Sequence, residues 1–352
     1  MATERETQAM RRALELAARG ERTTNPNPCV GAVVLDSAGG VAGEGWHERA
    51  GDPHAEVVAL QAAGARARGG TVVVTLEPCD HTGRTGPCSR ALLDAGVVRV
   101  VYAVDDPTAE AARGAATLRS AGLSVESGLL TEEAERGNER WLTAQRLGRP
   151  YVVWKYAATL DGRVAAADGT SRWISGPESR ADTHALRSAV DTIVVGVGTV
   201  LVDDPHLTVR DAEGRLAAEQ PLRVVVDTDG RTPASARVRD DAASTWLATG
   251  DEVGRDERDQ VDLAALLAQL WRRGRRYVLL EGGPRLAGAF LRADLVDRVV
   301  SYHAPLLLGG GPAALAGTGI ATLGEAVRLD VDDVTRLGAD VRISGRPVRK
   351  EA

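Results

Sequence analysis

Short valine-rich runs alternate with amphipathic stretches along nearly the whole of this 352-residue sequence. Thr71–Leu76 and Val97–Val104 are strand-like, and Pro87–Ala95 and Thr108–Ala121, between and after them, are helical by composition. Strands joined through helices pair side by side in the same direction, so the alternation predicts a largely parallel sheet covered on both faces. Ahead of it come an amphipathic helix from about Arg5 to Ala18, with Met10, Leu14 and Ala17 on one stripe, and a rigid Asn25-Pro26-Asn27-Pro28 loop. Cys29–Leu35 and Val41–Trp46 read as a hairpin turning through Ser37-Ala38-Gly39-Gly40. Pro53–Arg66 reads as a helix with Asp52 as its N-cap and Pro53 at its first position. Thr131–Arg146 reads as one further helix, acidic at its start and basic at its end.

The pattern breaks at Leu147-Gly148-Arg149-Pro150, which sets the expected division into Met1–Leu147 and Gly148–Ala352. Length alone favours two domains, at roughly 100–200 residues each. The second half again alternates, with strands expected at Tyr151–Leu160, Thr192–Val197, Leu222–Asp227, Thr245–Ala248, Tyr277–Glu281, Arg298–His303 and near Val341. Helices are expected at Glu178–Ser188, Val261–Trp271 and Arg285–Arg292, and Asp251–Gln260 as a charged, mobile surface stretch. Both halves are therefore α/β.

Composition narrows the function. Apolar residues at 43% and charged residues at 26% describe a folded globular chain. No window approaches the roughly 18 apolar residues of a membrane span, and Met1–Arg22 lacks the apolar core of a signal peptide. The expected compartment is the cytoplasm, with no membrane partner. Against 49 acidic residues stand 43 basic ones, and the aromatics are six Trp, five Tyr and one Phe. A nucleic-acid partner is thus not expected, for want of a basic stripe and of aromatic side chains for bases to stack on. The three cysteines, Cys29, Cys79 and Cys88, are too few for a disulfide framework and read as free thiols or metal ligands. All but two of the basic residues are arginine, and one of the two lysines, Lys155, sits in a strand-like run.

The sharpest local pattern is His54-Ala55-Glu56 with Pro78-Cys79 and, eight residues on, Pro87-Cys88. One His and two Cys are ligand types that zinc takes, and three of them leave a fourth tetrahedral position for water. On a helix, side chains two apart diverge by roughly 200°, so His54 as ligand and Glu56 as general acid/base is a better division than two ligands. Helix starts at the two prolines would favour thiolate at Cys88. The set matches a known signature of zinc deaminases of nucleobases, with eight residues between the cysteines where that signature has two. Two plainer readings stand beside it: buried thiols with no metal, and a closed structural zinc site with Cys29 as fourth ligand. A third is a nucleic-acid base deaminase fused to a binding domain.

The sequence resembles the bifunctional deaminase/reductase family of riboflavin biosynthesis. The resemblance rests on Asn25-Pro26-Asn27-Pro28-Cys29-Val30-Gly31, Gly51-Asp52-Pro53-His54-Ala55-Glu56-Val57 and Thr75-Leu76-Glu77-Pro78-Cys79 through Gly86-Pro87-Cys88. The long spacing between the cysteines is the family's own variant, and Asp80 and Gly86 stand where the family usually has Ser and Pro. The resemblance implies a cytidine-deaminase-like α/β/α sandwich followed by a dihydrofolate-reductase-like α/β domain. It implies one zinc ion on His54, Cys79 and Cys88, with Glu56 as proton carrier. The implied substrate is a diaminopyrimidinone bearing a ribosylamino 5′-phosphate, contacted by Asn27, His47, His81, Arg84 and Asp106.

In the second half the resemblance continues through Lys155-Tyr156-Ala157, Ser171-Arg172-Trp173, Gly196-Val197-Gly198-Thr199, Asp203-Asp204-Pro205-His206-Leu207 and Glu281-Gly282-Gly283-Pro284. Two glycines between a strand and a helix suit a phosphate in their own right, although a full dinucleotide-binding glycine motif is absent there. The resemblance implies NADPH, contacted by Ala157, Trp173, Thr199, Asp203, Thr228 and the turn Gly283, Pro284, Arg285, Leu286, Ala287, Gly288 and Ala289. Ser171, Arg187, Leu207, Arg210 and Glu281 are implied to hold the ribosyl substrate. Lys155 and Asp203 are expected to manage protons during hydride transfer. Oligomeric state is left open, a homo-oligomer included.

Overall fold

The computed structural model describes residues 2–81, 86–109, 113–211 and 213–349. It divides into two compact units, Met1–Gly148 and Arg149–Ala352.

The first unit runs α1 Glu4–Ala18, β1 Gly31–Leu35, β2 Val41–Trp46, α2 Ala55–Ala63, β3 Thr71–Leu76, α3 Cys88–Ala95, β4 Arg99–Val104, α4 Gly114–Ser120, β5 Ser124–Ser127, α5 Thr131–Gly137 and α6 Glu139–Leu147. Its five strands lie in the order β2-β1-β3-β4-β5. Only β3, β4 and β5 are mutually parallel, while β1 pairs antiparallel with both β2 and β3. The sheet is therefore mixed, because the hairpin that opens the domain brings an antiparallel edge with it.

Glycines without room for a side chain fix where two helices sit. A Cβ on Gly31 would lie 2.0 Å from the Ala13 carbonyl of α1, and one on Gly45 would lie 2.6 Å from the Ala55 carbonyl of α2. Gly45 pairs with Ala32, the neighbour of Gly31, so the two close approaches are on opposite faces of the sheet. The result is the expected α/β/α layering, with Val33, Val72, Val74, Val100 and Leu118 wholly buried in its core.

Three local expectations are corrected here. The helix expected from Pro53 starts at Ala55, with His54 as an extended N-cap, and its α-helical part ends at Ala63, followed by a 3-10 turn at Gly64–Ala67. Pro53 lies outside it because the backbone at His54 is extended, with ψ 159°, and the Pro53 carbonyl lies 3.1 Å from His47 Nδ1. The helix expected over Thr131–Arg146 is two, broken at Asn138, whose Oδ1 accepts the Cys29 N–H at 3.2 Å. The helix expected over Thr108–Ala121 is found only at Gly114–Ser120, since Asp106 draws Thr108 N–H into a turn at 2.8 Å; residues 110–112 lie outside the described ones.

The second unit runs β6 Tyr151–Thr159, α7 Pro177–Ser188, β7 Thr192–Gly196, α8 Val197–Asp203, β8 Leu222–Val226, β9 Thr245–Ala248, α9 Gly250–Val253, α10 Leu263–Arg272, β10 Tyr277–Leu280, α11 Pro284–Arg292, β11 Arg298–Ala304, β12 Leu329–Leu337 and β13 Asp340–Pro347. The sheet order is β12-β13-β11-β6-β10-β7-β8-β9, parallel from β11 to β9 with an antiparallel hairpin at the other edge. Leu266, Leu267, Leu270 and Phe290 pack with Val224, Val278 and Leu280 into a separate core. Among the described residues no helix is long and apolar enough to cross a membrane.

Candidate active sites

In the first unit, the end of β3 and the starts of α2 and α3 converge. The ligand atoms of His54, Cys79 and Cys88 lie within 4.8 Å of one another. His54 Nδ1 is 3.1 Å from Cys88 Sγ and 3.4 Å from Cys79 Sγ. The extended backbone at His54 places it one residue before α2 instead of within it, while Cys88 opens α3. The hydrogen bond from the Cys88 thiol holds the Cys79 thiol below the ordinary thiol range, with His54 assisting, and the same bond together with burial pushes Cys88 up. An imidazole and two soft sulfurs at this spacing form a donor set suited to zinc.

Glu56 is buried, and burial raises its carboxyl to about 6. His47 lies edge-on to His54, with ring centroids 5.5 Å apart, and its Nε2 is 3.0 Å from Asn27 Nδ2. Asn27, His47 and Glu56 are thus gathered around the donor set. Cys29 is not part of the cluster; its Sγ lies 3.4 Å from Thr24 Oγ1 and it lines a separate cavity of about 240 Å³. The closed four-ligand reading loses its fourth ligand.

Asp106 is buried but its Oδ1 is occupied by the Thr108 N–H and hydroxyl, at 2.8 and 2.6 Å. His81 is exposed, and Arg84 lies outside the described residues. Asp80, the departure from the family pattern, accepts the Ser89 hydroxyl and, at 2.6 Å, that of Thr117, so it ties α3 to α4. Glu77 has a place that sequence reasoning missed. Its carboxylate accepts the N–H groups of Asp106, Arg113 and Ala115 at 3.3, 3.4 and 3.0 Å, and so anchors the loop after β4. Only its position beside Pro78-Cys79 signalled this.

In the second unit, a cleft of about 1480 Å³ runs along the carboxyl ends of the parallel strands. Of the expected residues, Lys155, Ala157, Ser171, Thr199, Asp203, Thr228, Glu281, Gly283, Pro284, Arg285, Leu286 and Ala289 line it. Ser171 Oγ donates to Asp203 Oδ1 at 3.4 Å. Burial works against charge on Glu281 and on Lys155 alike. For Glu281 the bidentate Arg187 pair, at 2.6 and 2.9 Å, prevails and holds the carboxyl at about 2; for Lys155 burial prevails and lowers the ammonium below the ordinary lysine range.

The other expected residues lie apart from the lining. Trp173 is 69% exposed and flanked by the guanidinium groups of Arg172 and Arg180. Arg187 is turned to Glu281 and the Thr208 carbonyl, Leu207 is buried, and Arg210 Nη1 donates to the Gly214 carbonyl at 2.8 Å. Ala287 is packed in the core, and a Cβ on Gly288 would fall 1.8 Å from the Ala316 carbonyl, so these two serve helix packing. The Asp251–Gln260 stretch, expected as a mobile surface segment, is structured. It holds α9, and Asp256 Oδ1 accepts the Arg258 and Gln260 N–H groups at 2.9 and 3.0 Å, which turns Asp256–Gln260 into a wall of the cleft.

Comparison with known proteins gives each unit a family. The cytidine and deoxycytidylate deaminase zinc-binding region matches residues 3–104, and the RibD C-terminal domain matches residues 150–343. A riboflavin biosynthesis protein RibD of Mycobacterium tuberculosis is 47% identical over 340 residues, 96% of each chain, and that of Escherichia coli is 41% identical over 94% of this chain and 96% of its own. Among solved structures, Acinetobacter baumannii RibD superposes with a TM-score of 0.86 at 37% identity, over 98% of this chain and 99% of that one. A zinc-type deaminase and a reductase on one chain define a bifunctional deaminase and oxidoreductase. The chain belongs to the RibD family, and it carries out two consecutive steps of riboflavin biosynthesis, one zinc-dependent and one NADPH-dependent.

Proposed function

We propose that Met1–Leu147 carries the deaminase and Gly148–Ala352 the reductase, acting in turn on one phosphorylated pyrimidine. The substrate is 2,5-diamino-6-ribosylamino-4(3H)-pyrimidinone 5′-phosphate, and the product is 5-amino-6-ribitylaminouracil 5′-phosphate. The observation that carries this reading is the convergence of three zinc-type donors with a buried, proton-holding carboxyl.

His54, Cys79 and Cys88 would hold zinc, which would supply a Lewis acid for activating water. Glu56 collects the proton released as water adds to the amino-bearing ring carbon and delivers it to the departing ammonia. Asn27 and His47 hold the ring, and Asp106, fixed by Thr108 and Glu77, contacts the substrate together with His81.

In the second site Ala157, Thr199, Thr228 and the turn at Gly283 would hold NADPH, which would supply the hydride for the sugar's anomeric carbon. Lys155 gives the ring oxygen its proton as the ring opens, which suits an ammonium with a lowered proton affinity. Asp203 orients Ser171 and the sugar. Glu281, paired with Arg187, lies beside Lys155, and Arg210, bonded to the Gly214 carbonyl outside the cleft lining, would have to turn inward to meet the 5′-phosphate. Unpaired Cys79 and Cys88 suit the reducing cytoplasm.

The test is direct. Incubating the purified, zinc-loaded chain with the diaminopyrimidine phosphate should give the deaminated ribosyl compound without NADPH and the ribityl compound with it, as read by mass. Release of no ammonia in either case would overturn the assignment of the first site.

A further inference from the structure

The reductase cleft crosses the sheet in strand order. β6 contributes Lys155–Ala157, β10 leads into Glu281–Gly283, β7 and α8 give Gly196–Thr199, and β8 leads into Thr228. Neighbouring strands are about 4.8 Å apart, so the three steps from β6 to β8 cover roughly 14 Å, comparable with the reach of an extended dinucleotide from its nicotinamide to its adenosine ribose. With hydride transfer at Lys155, as in the reading above on which this inference rests, the adenosine end belongs beyond β8.

That end has the parts an adenosine needs. Val226, Val261 and Leu263 offer an apolar slot at the strand end. The start of α10 is closed to anions, since Asp262 already accepts the Ala264 and Ala265 N–H groups at 2.9 and 3.0 Å. An acidic residue after such a strand often takes the ribose hydroxyls of an unphosphorylated dinucleotide, whereas an arginine accommodates the 2′-phosphate. Here the acid is Asp229, and Arg255 holds it at 3.3 Å while also pairing with Asp259 at 3.2 Å.

Two arginines on the same rim, Arg231 and Arg258, are exposed and have no side-chain partner among the described residues. Their backbones are nevertheless pinned. Arg231 N–H donates to Asp227 Oδ1 at 2.9 Å, and Asp227 is wholly buried with its other oxygen taken by the Thr232 N–H and hydroxyl at 2.7 Å each. Arg258 N–H is held by Asp256 at 2.9 Å. Asp229, Asp256, Glu257 and Asp262 also line that rim; Asp229 is paired with Arg255, and Asp256 and Asp262 already accept backbone N–H groups, so Glu257 is the acid there with no partner among the described residues. We propose that Arg231 and Arg258 read the 2′-phosphate of the cofactor and thereby set the preference for NADPH over NADH.

Calorimetric titration of the zinc-loaded full chain with 2′,5′-ADP and with 5′-ADP tests this without turnover. The wild-type chain should bind 2′,5′-ADP at least about tenfold more tightly. Arg231→Gln and Arg258→Gln should each lose several-fold of that advantage, and the double variant all of it, with 5′-ADP binding unchanged throughout. Arg239→Gln, an exposed arginine outside the cleft lining, controls for general charge and should alter neither affinity. A double variant that keeps the wild-type preference would overturn the proposal, as would an equal loss in the Arg239 variant. Binding of neither nucleotide to the wild-type chain would instead overturn the placement of the cofactor in this cleft.

Discussion

Glu56 sits at the second position of α2, two residues beyond His54, in a pocket that keeps water from its carboxyl and raises it to about 6. That placement separates holding the metal from moving the proton. Glu56→Gln keeps the size and removes the transferable proton. The variant should retain one zinc per chain, measured by atomic absorption, while ammonia release falls by about 10²–10⁴-fold, the range for loss of a positioned acid/base. Reduction of pre-deaminated substrate should continue. Near-normal ammonia release would show that another group carries the proton. Lys155 supports a second test at this scale. Burial lowers its proton affinity, and a proton donor is active only while protonated. The rate of reduction should therefore fall on the alkaline side at a pH below the ordinary lysine value of about 10.4, and Lys155→Met should abolish that limb with the rate. A profile flat to pH 10 would remove Lys155 from proton transfer.

At the scale of elements, the zinc donors depend on how closely α2 can approach β2. Gly43 and Gly45 make that approach possible, since a Cβ on either would meet backbone of α2 at 2.6 Å or less. Gly45→Ala should lift the helix that carries Glu56 and follows His54, at a cost of about 1–3 kcal/mol in stability. Zinc affinity and deamination should drop together, with reduction retained; unaltered zinc binding would show that the site does not depend on this packing. Such dependences were only partly legible in the sequence. The donor set and Glu56 could be read because their spacing is chemical, and most strands because valine-rich runs are local signals. α8 was not legible: Val197, Thr199, Val200 and Val202 favour a strand, yet the chain turns into helix at Gly196 because β7 ends there at the cleft. β12 was hidden for the opposite reason, since Asp330, Asp332 and Asp333 crowd an exposed edge strand that no core pattern marks. The cleft wall at Asp256–Gln260 read as solvated surface because its order comes from turns closed by Asp256, which composition does not reveal.

At the scale of the molecule, each unit closes its own hydrophobic core, with Val33, Val74 and Leu118 in one and Leu266, Val278 and Phe290 in the other. The metal donors end at Cys88, and the residues assigned to reduction begin at Lys155, beyond the junction at Gly148. Damage on one side should stay there. Asp203→Ala removes the acceptor of Ser171 at the mouth of the cleft, and Lys155→Ala removes the proton donor; either should abolish NADPH oxidation by loss of positioning or of the proton. Ammonia release should continue at the wild-type rate, so the deaminated but unreduced ribosyl compound should accumulate in proportion to substrate consumed. Mass analysis of the reaction would show that intermediate, and a melting curve like that of the wild type would show that the fold is intact. A folded variant in which both steps fell silent would mean that the second site governs the first, and the two units would then have to be treated as one catalytic body.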